Sequence, residues 1–360
     1  MSELSKYSST EGLKITYFLG AGASYQALPI WKAQGQSMID LAYYIMTFVA
    51  RRDGTPNNQL IYPELFKDIR LTEFCLKLIS FGEHAQEYGS IDIYAKRLYL
   101  TDNHEELNEL KYCLSVYFDI WENFLHKSFF LKEVEGVRYN KIDKRYYSLL
   151  SVILNKLDGE PKLNENISFI TWNYDLQLEM AFDSFLPRPS SSFEDLDSKI
   201  QFMDNQNHAR KVLHLNGFRG IFYDGDKHYE NVDKDRCLSL EDYLERLLDN
   251  YTQFKNPDYN NCIKYAWESN SEALTEAKDI MSKTDVLVIV GYSFPAFNRK
   301  LDIELIHEFE SGEGFKRTIY QDPFANDDIV NSIFYDSSRV ELKKENISQF
   351  YIPHEFLSRT

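Results

Sequence analysis

Residues 14–24 read Lys-Ile-Thr-Tyr-Phe-Leu-Gly-Ala-Gly-Ala-Ser. The run from Lys14 to Leu19 is short and rich in apolar and β-branched residues, which predicts a buried strand. Gly20 and Gly22 then end it in a tight turn. Two glycines two apart allow a pyrophosphate to approach the backbone closely, and the amides of Gly20, Ala21, Gly22, Ala23 and Ser24 are the donors such a group seeks. The full dinucleotide fingerprint carries a third glycine where Tyr25 stands. The pair alone also fits an ordinary strand-to-helix turn, and its place after the first strand of an α/β pattern is what favours the phosphate reading.

Further strands follow along the chain. Asp285–Val290 is the strongest: Val286, Leu287, Val288, Ile289 and Val290 are continuously apolar, as in a central parallel strand covered on both faces. Ile167–Trp172 and Lys211–Leu215 read as strands, and 316–320 and 338–342 supply two weaker ones. Between them, helices are predicted over Asp175–Phe185, over Leu238–Tyr251 with Ser239 as its cap, and over Glu272–Lys283. Strands alternating with helices predict an α/β fold, a Rossmann-like open parallel sheet with helices on both faces. From residue 34 onward the character changes. Met38, Leu41, Ala42, Ile45, Met46 and Val49 recur at helical spacing, as do Leu107, Leu110, Leu114, Phe118, Trp121 and Leu125. A loop rich in Gly, Pro and Asn lies between Arg52 and Pro63. The expected organisation is a nucleotide-binding domain made of 1–33 and 160–360, with a mostly helical subdomain inserted at 34–159.

The chain has 360 residues and a formal net charge of −16. That length suits two domains or one domain with a large insertion. The acidic balance repels phosphate backbones and argues against autonomous DNA or RNA binding. Lys14, Lys141, Lys144 and Arg145 are the residues that would form a local basic patch. The 25 Phe and 25 Tyr point to a core that uses rings as well as aliphatic chains. Cys75, Cys113, Cys237 and Cys262 show no C-x-x-C spacing, so no metal site is read. No apolar run reaches the roughly 20 residues of a membrane span, and Met1–Thr10 has no apolar signal core. A reduced, cytoplasmic protein is expected.

Polar residues cluster at the predicted strand ends, where open α/β sheets bind ligands. Thr171-Trp172-Asn173-Tyr174-Asp175 follows one strand. Asn173 offers a donor and an acceptor for ribose hydroxyls or a positioned water, and Asp175 suits either chemistry or a helix cap. His214-Leu215-Asn216-Gly217 follows another, and strand alternation sends His214 and Asn216 to one side. Gly291-Tyr292-Ser293-Phe294 follows the strongest strand; Gly291 permits close approach and Ser293 can bond a phosphate or ribose. Asp322, after 316–320, can accept from an adenosine ribose or serve as a turn carboxylate before Pro323.

Taken in order, GAGAS, TWNYD, LNG and VGYSF, with Gly89-Ser90-Ile91-Asp92 in the helical block, resemble the motifs of the SIR2-like (sirtuin-related) family. The resemblance implies a Rossmann-like domain with an inserted helical one, and NAD as ligand. It implies phosphate contacts from Gly20, Gly22 and Ser24, the nicotinamide ribose at Asn173 and Asp175, and the adenosine side at Gly291 and Ser293. Thr171, Gly217 and Phe294 lie in the same matching segments. Three departures stand out. The four-cysteine zinc module of the family's protein deacylases is missing, Ile30-Trp31-Lys32 replaces their Asp-Phe-Arg, and Asn216 precedes Gly217 where the family has histidine. The first two disfavour peptide deacylation; the third leaves the base open between His214 and Asn216. What remains is similar to bacterial SIR2-like effectors of anti-phage defence, which hydrolyse NAD+ as oligomers or with a sensor partner. Such chemistry needs no general acid, because nicotinamide leaves pyridinium NAD+ as a neutral molecule. The expectation is therefore an NAD+ hydrolase without metal, whose catalytic residues come from Asn173, Asp175, His214 and Asn216; the alternative is a non-catalytic NAD or ADP-ribose binding module that regulates a partner.

Overall fold

The structure, a computed structural model, describes residues 12–30, 32–124, 133–134, 137–157, 159–201, 211–223, 228–229, 239–251, 259–268 and 272–357. Six strands form the central sheet: β1 (Ile15–Leu19), β2 (Ile167–Thr171), β3 (Val212–His214), β4 (Val286–Val290), β5 (Arg317–Gln321) and β6 (Val340–Lys343). Every pairing between them is parallel, and the spatial order is β3-β2-β1-β4-β5-β6. This is the doubly wound order of dinucleotide-binding sheets, and the strand order reverses between β1 and β4. The expected α/β class is thus the observed one.

Alternation along the strands explains the two layers. Ile15, Tyr17, Phe169, Val286 and Val288 face one core, shared with Tyr146, Leu149, Leu150, Met180 and Phe182. Phe18, Ile170, Leu287, Ile289 and Tyr320 face the other, shared with Ala277, Ile280, Leu305 and Ile306. Helices Lys144–Ile153, Gln177–Asp183 and Phe193–Ile200 therefore cover one face, and Glu272–Lys283, Arg299–Ser311 and Asp327–Ile333 the other.

The helical block comprises Lys32–Val49, Ile69–Tyr88, Ile91–Leu100 and His104–Asn123, with the short Pro63–Lys67 between. Its packing departs from the sequence reading twice. Helix Lys144–Ile153, expected within the insertion, has its apolar side in the sheet's core. Conversely Leu240, Tyr243, Leu244, Leu247 and Ile263 join the core of the insertion. Gly217–Tyr223 pairs antiparallel with Tyr259–Ile263 and His228–Tyr229 in a small second sheet that the sequence reading omits. Trp31, Cys237 and Met1–Thr10 lie outside the described residues. Among the described residues no helix is long and apolar enough to cross a membrane.

Candidate functional site

The glycine turn sits at the point where the strand order reverses, and backbone contact defines it. Gly20 N donates to Val290 O at 3.0 Å, Gly22 N to Gly291 O at 2.8 Å and Ala23 N to Gly20 O at 2.8 Å. A Cβ on Gly22 would stand 2.7 Å from Gly291 Cα, and one on Gly291, whose φ is +59°, 2.4 Å from the Gly22 carbonyl carbon. The glycines let the turns after β1 and β4 touch. These three amides already have carbonyl partners, while Ala21 is exposed at the rim. Ala21–Ser24 forms one 3-10 turn and the next helix begins only at Lys32. No helix start abuts Tyr25, so no third glycine is needed there; instead the Arg145 guanidinium lies 4.3 Å from the Tyr25 ring centre.

Ser24, Asn173 and Asp175 converge from the ends of β1 and β2. Ser24 Oγ donates to Asp175 Oδ1 at 3.0 Å, and Asn173 Nδ2 approaches Ser24 Oγ at 3.5 Å. Thr171 Oγ1 accepts from Asn173 N at 3.0 Å and fixes the bend that turns Asn173 toward Ser24. Asp175 Oδ1 also accepts from Gln177 N at 3.1 Å, so from the position before the N-cap Leu176 it satisfies the first N–H of helix Gln177–Asp183. All three are buried, Ser24 most deeply, and its hydroxyl links rather than lies open. Burial, followed by the charge of Glu122, pushes the Asp175 carboxyl up to about 7, against the bonds from Gln177 and Ser24.

His214 and Asn216 take different partners. β3 ends at His214, so strand alternation no longer governs Asn216. His214 Nδ1 lies 3.1 Å from Asn173 O and Nε2 lies 2.7 Å from Glu179 Oε1. Burial pulls the ring's proton affinity down, but the charge and bond of Glu179 and the Asn173 carbonyl outweigh it and hold it above its ordinary value. An imidazolium donating at both nitrogens offers no lone pair to a water. Asn216 is committed too: Nδ2 donates to Trp172 O at 3.3 Å and Oδ1 accepts from Ala266 N at 3.2 Å. Gly217, at φ +66°, admits the carbonyl of Cys262, which a Cβ would meet at 1.9 Å.

Across the switch point, Ser293 is exposed whereas the Phe294 ring is core, packed on Phe18, Tyr292 and Tyr320. Phe294 adopts φ +51°, a left-handed backbone that is strained for an aromatic residue. Asp322 Oδ1 accepts from Phe324 N at 2.7 Å, the turn role, and burial raises its carboxyl.

Several residues around the cluster were given no role by the sequence, Gly89, Ser90 and Asp92 being marked by the motif resemblance alone. Gly89 ends helix Ile69–Tyr88 in a left-handed cap, Ser90 Oγ accepts from Ile93 N at 3.2 Å, and Asp92 thereby reaches the Tyr174 hydroxyl. Burial pushes Asp92 up to about 6, against the Tyr174 bond. Arg145, read as surface charge, is buried beside Asp143 and donates to Gly22 O at 2.8 Å. Asp143 before the amphipathic run 144–153 was a legible cap signal; the Arg145 contact had none. A cavity of about 530 Å³ opens beyond His214, lined by Lys111, Glu179, Phe218, Lys264, Tyr265 and Glu268 among others. Its lining includes neither the glycine turn nor Asn173 or Asp175. His214 and Glu179 line this cavity, whereas the Ser24–Asn173–Asp175 group does not.

No family model matches the chain, and no curated protein matches it. Among solved structures, it is similar to a crystal structure of Sir2 in complex with the inhibitor EX-527, 2'-O-acetyl-ADP-ribose and a deacetylated p53 peptide. The identity is 13 %, the TM-score 0.39, and the match covers 93 % of this chain and 89 % of that one. The α/β assignment rests on the parallel six-stranded sheet itself.

Proposed function

We propose that this chain binds NAD+ at the switch point and hydrolyses its nicotinamide–ribose bond to give nicotinamide and ADP-ribose. One observation carries the reading: Ser24, Asn173 and Asp175, from two adjacent strand ends, form one buried hydrogen-bonded group beside the contact of Gly22 with Gly291. In the reaction the C1'–N bond breaks and its electron pair leaves with neutral nicotinamide, so no acid is required. Asn173 holds ribose hydroxyls or the water, and ionised Asp175 stabilises the oxocarbenium-like charge. Water oxygen then bonds to C1' and its proton passes to Asp175 or solvent. His214 acts as a positioning residue that holds the Asn173 carbonyl, not as the base. Ala21 and Gly22 are the diphosphate side of the site, and Ser293 and Asp322 the adenosine side.

The test is nicotinamide release from NAD+ by the purified chain. Wild type releases it, and Asn173→Ala lowers turnover by about 100-fold or more; undiminished turnover in that variant sinks the assignment. Because Asp175 is held near 7, turnover that needs its carboxylate rises with pH through that value, and a flat profile from pH 5.5 to 8.5 removes Asp175 from the mechanism.

A second reading, a non-catalytic NAD or ADP-ribose module acting on a partner, is favoured by the commitment of both His214 nitrogens and of the Asn216 amide. Tight nucleotide binding without nicotinamide release selects it. An anti-phage role that depletes NAD+ is the biological form of the first reading and follows from the motif resemblance alone. Assembly into an oligomer or with a sensor protein is part of the same proposal, and exposed Tyr43, Ile69, Leu76 and Leu100 on the insertion supply an apolar surface for it. Sedimentation as a monomer with and without NAD+ removes the oligomer.

A further inference from the structure

The segment Asn173–Gln177 is held by contacts that lead back to the insertion. Asp92, in the first turn of helix Ile91–Leu100, accepts from the Tyr174 hydroxyl. Glu122, in the last turn of helix His104–Asn123, accepts from Leu176 N at 3.2 Å and from Gln177 Nε2 at 2.9 Å. Arg219 pairs with Asp119 and Glu122 of that same helix and gives its backbone N–H to Tyr174 O at 2.7 Å. Gln177, fully buried, carries the contact onward. Its Oε1 accepts from Asp143 N at 2.9 Å, Asp143 Oδ2 accepts from Gln26 N at 3.1 Å, and Arg145 joins Asp143 to Gly22 O. One unbroken path runs from the insertion helix through Gln177 to the glycine turn.

We infer that Glu122 and Gln177 are positioning residues through which helix His104–Asn123 sets the Asn173–Gln177 segment relative to the glycine turn, so that a displacement of the insertion is felt at the site. The residue types fit the task. The buried Asp143 N–H needs an acceptor and Glu122 needs a donor, and an amide supplies both from one side chain. Losing either partner leaves a buried polar group unsatisfied, which makes the link stiff. Only the activity readout of this inference rests on the reading of the segment as a nucleotide site; the coupling itself does not.

The proximity of this link to Asp175 can be read by titration. The titratable groups that act on Asp175 are Glu122 from the insertion helix, Glu179 from the following helix Gln177–Asp183, Tyr146 from helix Lys144–Ile153 and His214 from β3. After burial, Glu122 is the largest influence. Two near-isosteric changes therefore act in opposite directions: Glu122→Gln removes a charge beside Asp175, and Gln177→Glu adds one.

The experiment follows the Asp175 carboxyl by carbon NMR in the full chain with labelled aspartates, the resonance being identified by its loss in Asp175→Asn. The expected result is a midpoint lowered by about one pH unit in Glu122→Gln and raised by a similar amount in Gln177→Glu. Side chains that only fill space would move neither. Midpoints within about 0.3 units of wild type in folded variants overturn the inference. If Glu122→Gln fails to fold, Gln177→Glu decides. In turnover, Gln177→Glu is expected to lower kcat about tenfold with KM within about threefold, and an unchanged kcat also overturns the inference. A wild type that releases no nicotinamide defeats the hydrolase reading and leaves the titration to judge the coupling.

Discussion

At Gly291 a single methyl group would meet the Gly22 carbonyl carbon at 2.4 Å on a backbone already at φ +59°. Gly291→Ala is therefore expected to lower unfolding free energy by about 2 kcal/mol or more in urea titrations; an unchanged midpoint contradicts the close-packed switch point. His214 makes a different kind of claim. Its folded-state proton affinity lies above the unfolded value, so the stability it contributes is present below the unfolded pKa of about 6.5 and is lost as pH rises through the folded one. Unfolding free energies measured from pH 6 to 9 should fall in wild type and fall less in His214→Gln; equal slopes contradict the ion pair with Glu179. The placement of Asn173 and Asp175 at a strand end was legible because they stand directly after an apolar run. The duty of His214 was not, since nothing local in the sequence says that Glu179, on another element, faces it.

Secondary elements were legible where the chain itself supplies the pattern. Val286–Val290 is apolar throughout because both faces are covered, and Glu272–Lys283 reads as a helix from its periodicity. Partnership was harder. The strand Gly217–Tyr223 depends on Tyr259–Ile263 far along the chain, and its glycines at 217 and 220 mask strand character. Periodicity likewise gives the type of helix Lys144–Ile153 but not the core it joins. Gly89-Ser90-Ile91-Asp92 was noticed only by resemblance, yet it has a local physical meaning as a helix stop, a cap and a reach to Tyr174. Ser90→Ala is expected to cost about 1 kcal/mol of stability through the lost cap. A calorimetric Tm within error of wild type would deny the cap that role.

For the molecule as a whole, an alternating strand–helix pattern predicts a parallel sheet but not its order, because sequence spacing does not say on which side of β1 each later strand pairs. The observed order puts the switch point between β1 and β4 and so brings Gly22, Gly291 and the Ser24–Asn173–Asp175 group together. A cavity of about 530 Å³ lined in part by His214 excludes that group from its lining, so the proposed nucleotide has two candidate seats. The position of bound ADP-ribose in a crystal of the chain is the most direct measurement. The expected result is a site at the switch point, with the diphosphate against Ala21 and Gly22 and the distal ribose at Asn173. ADP-ribose seated instead in the cavity beside Glu179 and Lys111, or absent at saturating concentration, contradicts it.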